Sequence, residues 1–399
     1  MRYSILLIAF VVAGCFKEDA GTTVSGGCPN GEPCSASPVA VTGGHQFTKI
    51  AAGRYHTCGV KSNGEVWCWG LNSVGQLGAA SQSFSSNVPL KVSGTQTFVS
   101  VSVGDFHTCA LASDAGVYCW GNNNTDVLGT TTTESCGTIT CSRSPIRSAG
   151  TTTFLGVAAG AAHTCALDSN SAALCWGYNV LGEIGSTTYA TSTSSPVTVP
   201  GGKTYTSIVA GYRFSCGLDT AQALYCWGYG DDGELGTLAV SSCIYGSASY
   251  LCSATPIAAG TSEKFTQIAA GTAFGCGLAS TSNVLCWGYG RDGEIGNGAL
   301  QNAGTPIAIK LAGPWSSVAT GSFHACALRA SGAAYCWGLN NYAQLGDGSK
   351  VYANPEPQAV TGGKSFTQIV AGANHTCGLL ADGSVWCWGS DGAGQLGRG

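Results

Sequence analysis

The chain's candidate reactive side chains are its 21 cysteines and six histidines, and their spacing limits the chemistry open to them. Fourteen cysteines fall into seven pairs ten residues apart: Cys58 with Cys68, Cys109 with Cys119, Cys165 with Cys175, Cys216 with Cys226, Cys276 with Cys286, Cys326 with Cys336, and Cys377 with Cys387. Zinc and iron–sulfur sites need ligands that converge on one point at short paired spacings. These pairs instead recur along the chain at steps of 51, 56, 51, 60, 50 and 51 residues, so they read as disulfides. Cys28 with Cys34, Cys136 with Cys141, and Cys243 with Cys252 form three further close pairs, and Cys15 is left over. Neither a metal nor a cofactor is expected. Five histidines (His56, His107, His163, His324, His375) share one repeat position, where Phe214 and Phe274 stand in copies four and five. A catalytic residue usually occurs once and a structural one once per repeat, so these read as core or turn hydrogen-bonding groups. The chain has no Gly-x-Ser-x-Gly elbow, phosphate-binding glycine loop or His-Glu-x-x-His pattern. It is expected to have no catalytic residue and not to be an enzyme.

A near-fixed period means one supersecondary unit reused. In the first copy, Tyr55–Val60 and Val66–Trp69 flank Ser62-Asn63-Gly64, a strong hairpin signal. Pairing about that turn sets Cys58 opposite Cys68 and Val60 opposite Val66. Side chains alternate across a strand, so the cysteines share one face and Trp67 and Trp69 the other. Each second cysteine is followed by Trp-Gly, then a Gly-rich turn, a looser segment, a Pro (Pro89 in the first copy) and a further short strand. About four strands per unit and seven units predict a seven-bladed all-β propeller. The strand missing after the seventh copy is supplied by Pro38-Val39-Ala40-Val41. This N-terminal strand is expected to pair in the last blade, closing the ring and removing exposed edges.

These motifs resemble the regulator of chromosome condensation (RCC1) repeat family. The resemblance rests on Gly104-Asp105-Phe106-His107-Thr108-Cys109-Ala110-Leu111, Gly116-Val117-Tyr118-Cys119-Trp120-Gly121 and Gly75-Gln76-Leu77-Gly78, and covers about 38–399. It implies a seven-bladed propeller. The family includes a nucleotide-exchange factor for a small nuclear GTPase, plant light sensors and a secreted β-lactamase inhibitor, so fold alone does not assign function. The light sensors resemble one another in Gly-Trp-Arg-His-Thr. Here the site reads Gly53-Arg54-Tyr55-His56-Thr57 and no copy carries the Trp, which argues against photoreception.

Residues 1–14 read as an export signal, with Arg2 followed by an apolar run from Ile5 to Val12. The run ends Val12-Ala13-Gly14-Cys15, which resembles a bacterial lipobox and implies lipid on Cys15. Residues 15–37 would form a tether of at most roughly 70–80 Å. The expected location is the cell envelope, lipid-anchored at an outer membrane or cell surface, where disulfides persist. Without Arg2 the chain holds 16 Lys+Arg against 21 Asp+Glu, a net charge of −5, unlike a nucleic-acid surface. Membrane contact is expected only through the lipid, and the propeller is expected to be a monomer.

Copies two and four are the long ones, and each insertion carries its own cysteine pair. Thr138 and Ile139 in the first, and Tyr245 and Tyr250 in the second, are candidate partner contacts. Tyr229–Glu234 and Tyr289–Glu294 are acidic turns. Such oxygens suit calcium, although Asp-Gly turn chemistry accounts for them without an ion. The function expected is a non-catalytic module for an unknown protein partner. The alternatives are an inhibitor of an extracellular enzyme, a glycan-binding adhesin and a guanine-nucleotide exchange factor.

Overall fold

A computed structural model describes residues 33–187, 191–245, 247–349 and 351–399. The signal segment, Cys15 and residues 16–32 of the tether lie outside them, and with Cys28 so does the expected pairing of Cys28 with Cys34. Seven antiparallel sheets form the ring, and all regular structure among the described residues is strand. Blade 1 runs Lys49–Ala52, His56–Val60, Val66–Leu71 and Ser85–Lys91 from axis to rim. The other blades repeat this order. In blade 7 the outer strand is Cys34–Ala40, which pairs antiparallel with Val385–Ser390. The N-terminal strand therefore closes the ring, and it begins at Cys34, ahead of Pro38.

The hairpin register is the one the Asn-Gly turn dictates, with Cys58 opposite Cys68 and Val60 opposite Val66. The same register recurs around the ring. Cys109 faces Cys119, Cys165 faces Cys175, Cys216 faces Cys226, Cys276 faces Cys286, Cys326 faces Cys336 and Cys377 faces Cys387. All seven pairs are bridged, with Cα atoms 4.0–4.1 Å apart. Alternation then sends the two faces of each hairpin to different neighbours. The Cys58–Cys68 bridge packs in one cluster with Trp120 of blade 2, and the Cys165–Cys175 bridge with Trp227 of blade 4. Cys216–Cys226 packs with Trp287, Cys276–Cys286 with Trp337 and Cys326–Cys336 with Trp388. Across the closure, Cys377–Cys387 packs with Trp69 of blade 1. Cys109–Cys119 meets Trp176 in the same way, so every blade interface is a disulfide against a buried tryptophan.

The prolines sit differently from the sequence expectation. Pro89 lies inside the outer strand Ser85–Lys91, at the break in its register with Val66–Leu71, and does not precede it. Pro145, Pro196, Pro256, Pro306 and Pro357 repeat this placement. A residue with no N–H to donate is tolerated where the ladder is already interrupted at a sheet edge.

Antiparallel alternation places the inner-to-second and third-to-outer connections of all blades on one face, here the loop face. Hairpin turns and blade-to-blade crossovers occupy the opposite face. On the loop face, Gly53, Gly104, Gly160, Gly211, Gly271, Gly321 and Gly372 ring the axis around a cavity of about 110 Å³. Backbone bonds link blade to blade here, among them Ala161 N–H to the Gly211 carbonyl (3.1 Å) and, across the closure, Ala373 N–H to the Gly53 carbonyl (3.3 Å).

Candidate functional site

The five repeat histidines are structural and act between blades. Thr108 Oγ1 donates to the Gln76 carbonyl at 2.9 Å and so accepts from His56 Nε2 at 2.7 Å. His107 meets Thr164 at 2.9 Å, His163 meets Ser215 at 2.8 Å, His324 meets Thr376 at 2.9 Å and His375 meets Thr57 at 2.8 Å. Each imidazole thus bonds to a hydroxyl on the next blade. The two missing histidines obey the same rule, because Phe214 and Phe274 precede blades whose corresponding residues are Gly275 and Ala325, which have no hydroxyl. Both phenylalanines are buried, at 1% and 0% exposure. This coupled loss was readable in the sequence once blade n is known to pack on blade n+1.

Phe274→His alone is expected to cost about 1–3 kcal/mol, because it buries a donor without a partner. Adding Ala325→Thr supplies the acceptor and should return at least ~1 kcal/mol as a coupling energy in urea unfolding. Strictly additive effects would refute the latch.

A second repeat position distinguishes one arc of the ring. In blades 1, 6 and 7 a buried glutamine (Gln76, Gln344, Gln395) takes a backbone N–H two residues upstream, as Val74 N–H bonds Gln76 Oε1 at 2.9 Å. Blades 3, 4 and 5 carry Glu183, Glu234 and Glu294 there. Their Oε2 atoms accept from Leu181, Asp232 and Asp292 N–H at 2.8–3.0 Å, and their Oε1 atoms have no partner. Burial pushes Glu183 up to about 7 and Glu234 and Glu294 up to about 8. A protonated carboxyl there has the shape of the glutamine amide. The acidic turns are therefore occupied by their own backbone and side-chain bonds. Asp231 accepts from Leu251 N–H and Tyr229 O–H, and Asp232 from Asn302 Nδ2 at 2.8 Å.

The same three blades carry Tyr178, Tyr229 and Tyr289 five residues before the glutamates, where the other blades have Leu71, Asn122, Leu339 and Ser390. Burial, with the Glu183 carboxyl and the Tyr245 and Tyr212 hydroxyls nearby, raises Tyr178 to about 12. The blade 4 insertion thus comes within electrostatic range of blade 3. Tyr250 packs against Tyr229 with its ring tilted (centroids 6.1 Å apart) and is half-buried, whereas Tyr245 is 43% exposed and Ile244 81% exposed.

Both insertions are hairpins added at the rim of the loop face. Ser135–Cys136 pairs with Ile139–Arg147 in blade 2, and Ser241–Tyr245 pairs with Ala248–Ala258 in blade 4. Cys136–Cys141 and Cys243–Cys252 bridge them, with Cα atoms 5.8 Å apart. Thr138 is exposed at the first tip and Ile139 is partly covered. The four candidate contacts share one face but belong to two separate blades.

A family model described as the RCC1-like domain matches residues 17–316, and RCC1-repeat models match 315–344, 331–379 and 366–395. The chain is a member of the RCC1-like propeller family, a protein-interaction fold. It is 26% identical over 268 residues to the ultraviolet-B receptor UVR8 of Arabidopsis thaliana, covering 66% of this chain and 58% of that protein. It is also 26% identical over 245 residues to the regulator of chromosome condensation of Xenopus laevis, covering 57% and 56% respectively. The chain thus spans little more than half the length of these relatives. The crystal structure of human WBSCR16 superposes with a TM-score of 0.75 at 22% identity, covering 89% of each chain. At the position of the light-sensor Trp, the channel mouth here carries Arg54, Asp105, Ala161, Tyr212, Thr272, Ser322 and Ala373.

Proposed function

We propose that this chain is a non-catalytic protein-interaction module, exported and lipid-anchored through Cys15 in a bacterial cell envelope, which engages its partner with the loop face around blade 4. The carrying observation is where apolar side chains remain uncovered. Leu238 (84%) and Ile244 (81%) of blade 4 and Leu300 (59%) of blade 5 are exposed on the loop side, and Phe84 (70%) is exposed on the same face in blade 1. Scattered exposed apolar residues need no explanation, but grouping on one face of a rigid ring is the pattern of a docking surface. The adjoining tyrosines supply large contact area at low conformational cost. The disulfides and the Val12-Ala13-Gly14-Cys15 pattern support an oxidising, membrane-tethered setting.

The test is crosslinking of the lipidated protein on intact cells of its source, with mass-spectrometric identification of what is captured. A protein captured by the wild type and lost on deleting the blade 4 hairpin supports the reading. Capture that survives the deletion moves the site off blade 4. A surface-exposed chain that captures nothing overturns the protein partner in favour of a glycan.

A further inference from the structure

Edges are the weak point of sheet proteins, because a row of unpaired N–H and C=O groups invites another strand. All seven outer strands here carry a proline at a register break. The added strand of blade 2 is two residues long, and Arg143 caps it by donating to the Ser135 carbonyl at 3.2 Å while paired with Glu134. Ser241–Tyr245 has none of these devices. It is five residues long, without charge or proline, and Cys243–Cys252 holds it in register against Ala248–Ala258.

The direction of its backbone groups follows from the ladder. Leu251 is opposite Ser242, and its N–H and C=O bond to Asp231 and to Gly230 N–H on the propeller side. Leu251 therefore does not exchange hydrogen bonds with Ser242, and in an antiparallel pair such positions alternate. The N–H and C=O groups of Ser242 and Ile244 consequently point outward. On one face of this edge, Ile244 and its diagonal neighbour Leu251 (43% exposed) form an uncovered apolar stripe.

We infer that Ser241–Tyr245 is a docking strand that takes an extended segment of a separate protein by strand addition, apolar on the Ile244 side. The inference deepens the interaction reading above and rests on it. Strand addition draws affinity from main-chain bonds and specificity from alternate side chains.

The probe is a labelled, capped peptide alternating valine with lysine, titrated against the full chain by fluorescence anisotropy. Saturable binding is expected. Ser242→Pro removes one outward N–H and leaves the ladder to Ala248–Ala258 intact, so affinity should fall at least about tenfold at an unchanged melting temperature. Ser242→Ala should bind like the wild type, and N-methylation of alternate peptide amides should abolish binding. Absence of saturable binding, or equal affinity in Ser242→Pro, overturns strand addition. A concentration-dependent dimer that Ser242→Pro dissolves gives the edge to a second copy and overturns the separate partner. If the peptide fails while deleting the blade 4 hairpin still abolishes capture on cells, the interaction reading stands and the strand-addition mode does not.

Discussion

Gly53→Val should cost the propeller on the order of 3 kcal/mol or more, one of the largest effects available to a single substitution. A β-carbon at Gly53 would collide with the Gly104 carbonyl oxygen and lie 2.6 Å from Val103 Cγ1. The carbonyl cannot retreat freely, because it accepts the Arg54 N–H at 3.3 Å and is one link of the axial ring. Displacing one inner strand outward also loosens its two disulfide–tryptophan interfaces. Gly156→Ala is the control: it lies on the inner strand of blade 3 with nothing within 4 Å of a new β-carbon. Its effect should stay within about 0.5 kcal/mol. Equal urea-unfolding midpoints for the two variants would show that the axis is not the tight contact it looks to be.

Stability should depend steeply on pH, with a maximum near pH 6.5. Burial holds His56, His107, His324 and His375 down at about 3 and His163 at about 4. Neutral histidine is the folded form and the unfolded chain takes up protons below 6.5, so stability falls as pH drops from 6.5 towards 4. Five protons correspond to a slope of up to about 7 kcal/mol per pH unit. The buried glutamates act in the opposite sense. Glu183, Glu234 and Glu294 keep their protons to about 7, 8 and 8 when folded and lose them near 4.5 when unfolded. Their stabilisation declines as pH rises from 4.5 to those values, at up to about 4 kcal/mol per unit for the three. Between 4.5 and 6.5 the histidines outnumber them, and above 6.5 the glutamates act alone. Urea unfolding from pH 4 to 9 should trace this peak. Replacing all three glutamates by glutamine, as blades 1, 6 and 7 already have, should flatten the alkaline limb and steepen the limb between pH 4.5 and 6.5, where the glutamates no longer oppose the histidines. Constant stability between pH 4.5 and 6 in that triple variant would show that the histidines are not held neutral.

Local pattern carried a good deal of this protein. The Asn63-Gly64 turn and period-2 alternation set Cys58 opposite Cys68 and put Trp69 on the other face, and those statements involve residues about ten apart. Seven copies and the displaced strand near Pro38 imply the closed ring. The misplacement of the prolines shows the limit of local reading, since a register break becomes visible only against the neighbouring strand.

The sequence by itself determined the unit, its number and its hairpin register, because each is encoded in contacts between residues close in the chain. Tertiary structure alone decided what each unit meets. The histidine–hydroxyl latches join residues 50 or more apart. Glu234 and Glu294 read as turn residues until their blades bury them. The open edge at Ser242 and Ile244 stands out only beside seven blunted ones. A repeat specifies its own hydrogen bonds, but burial and neighbour identity are properties of the closed ring.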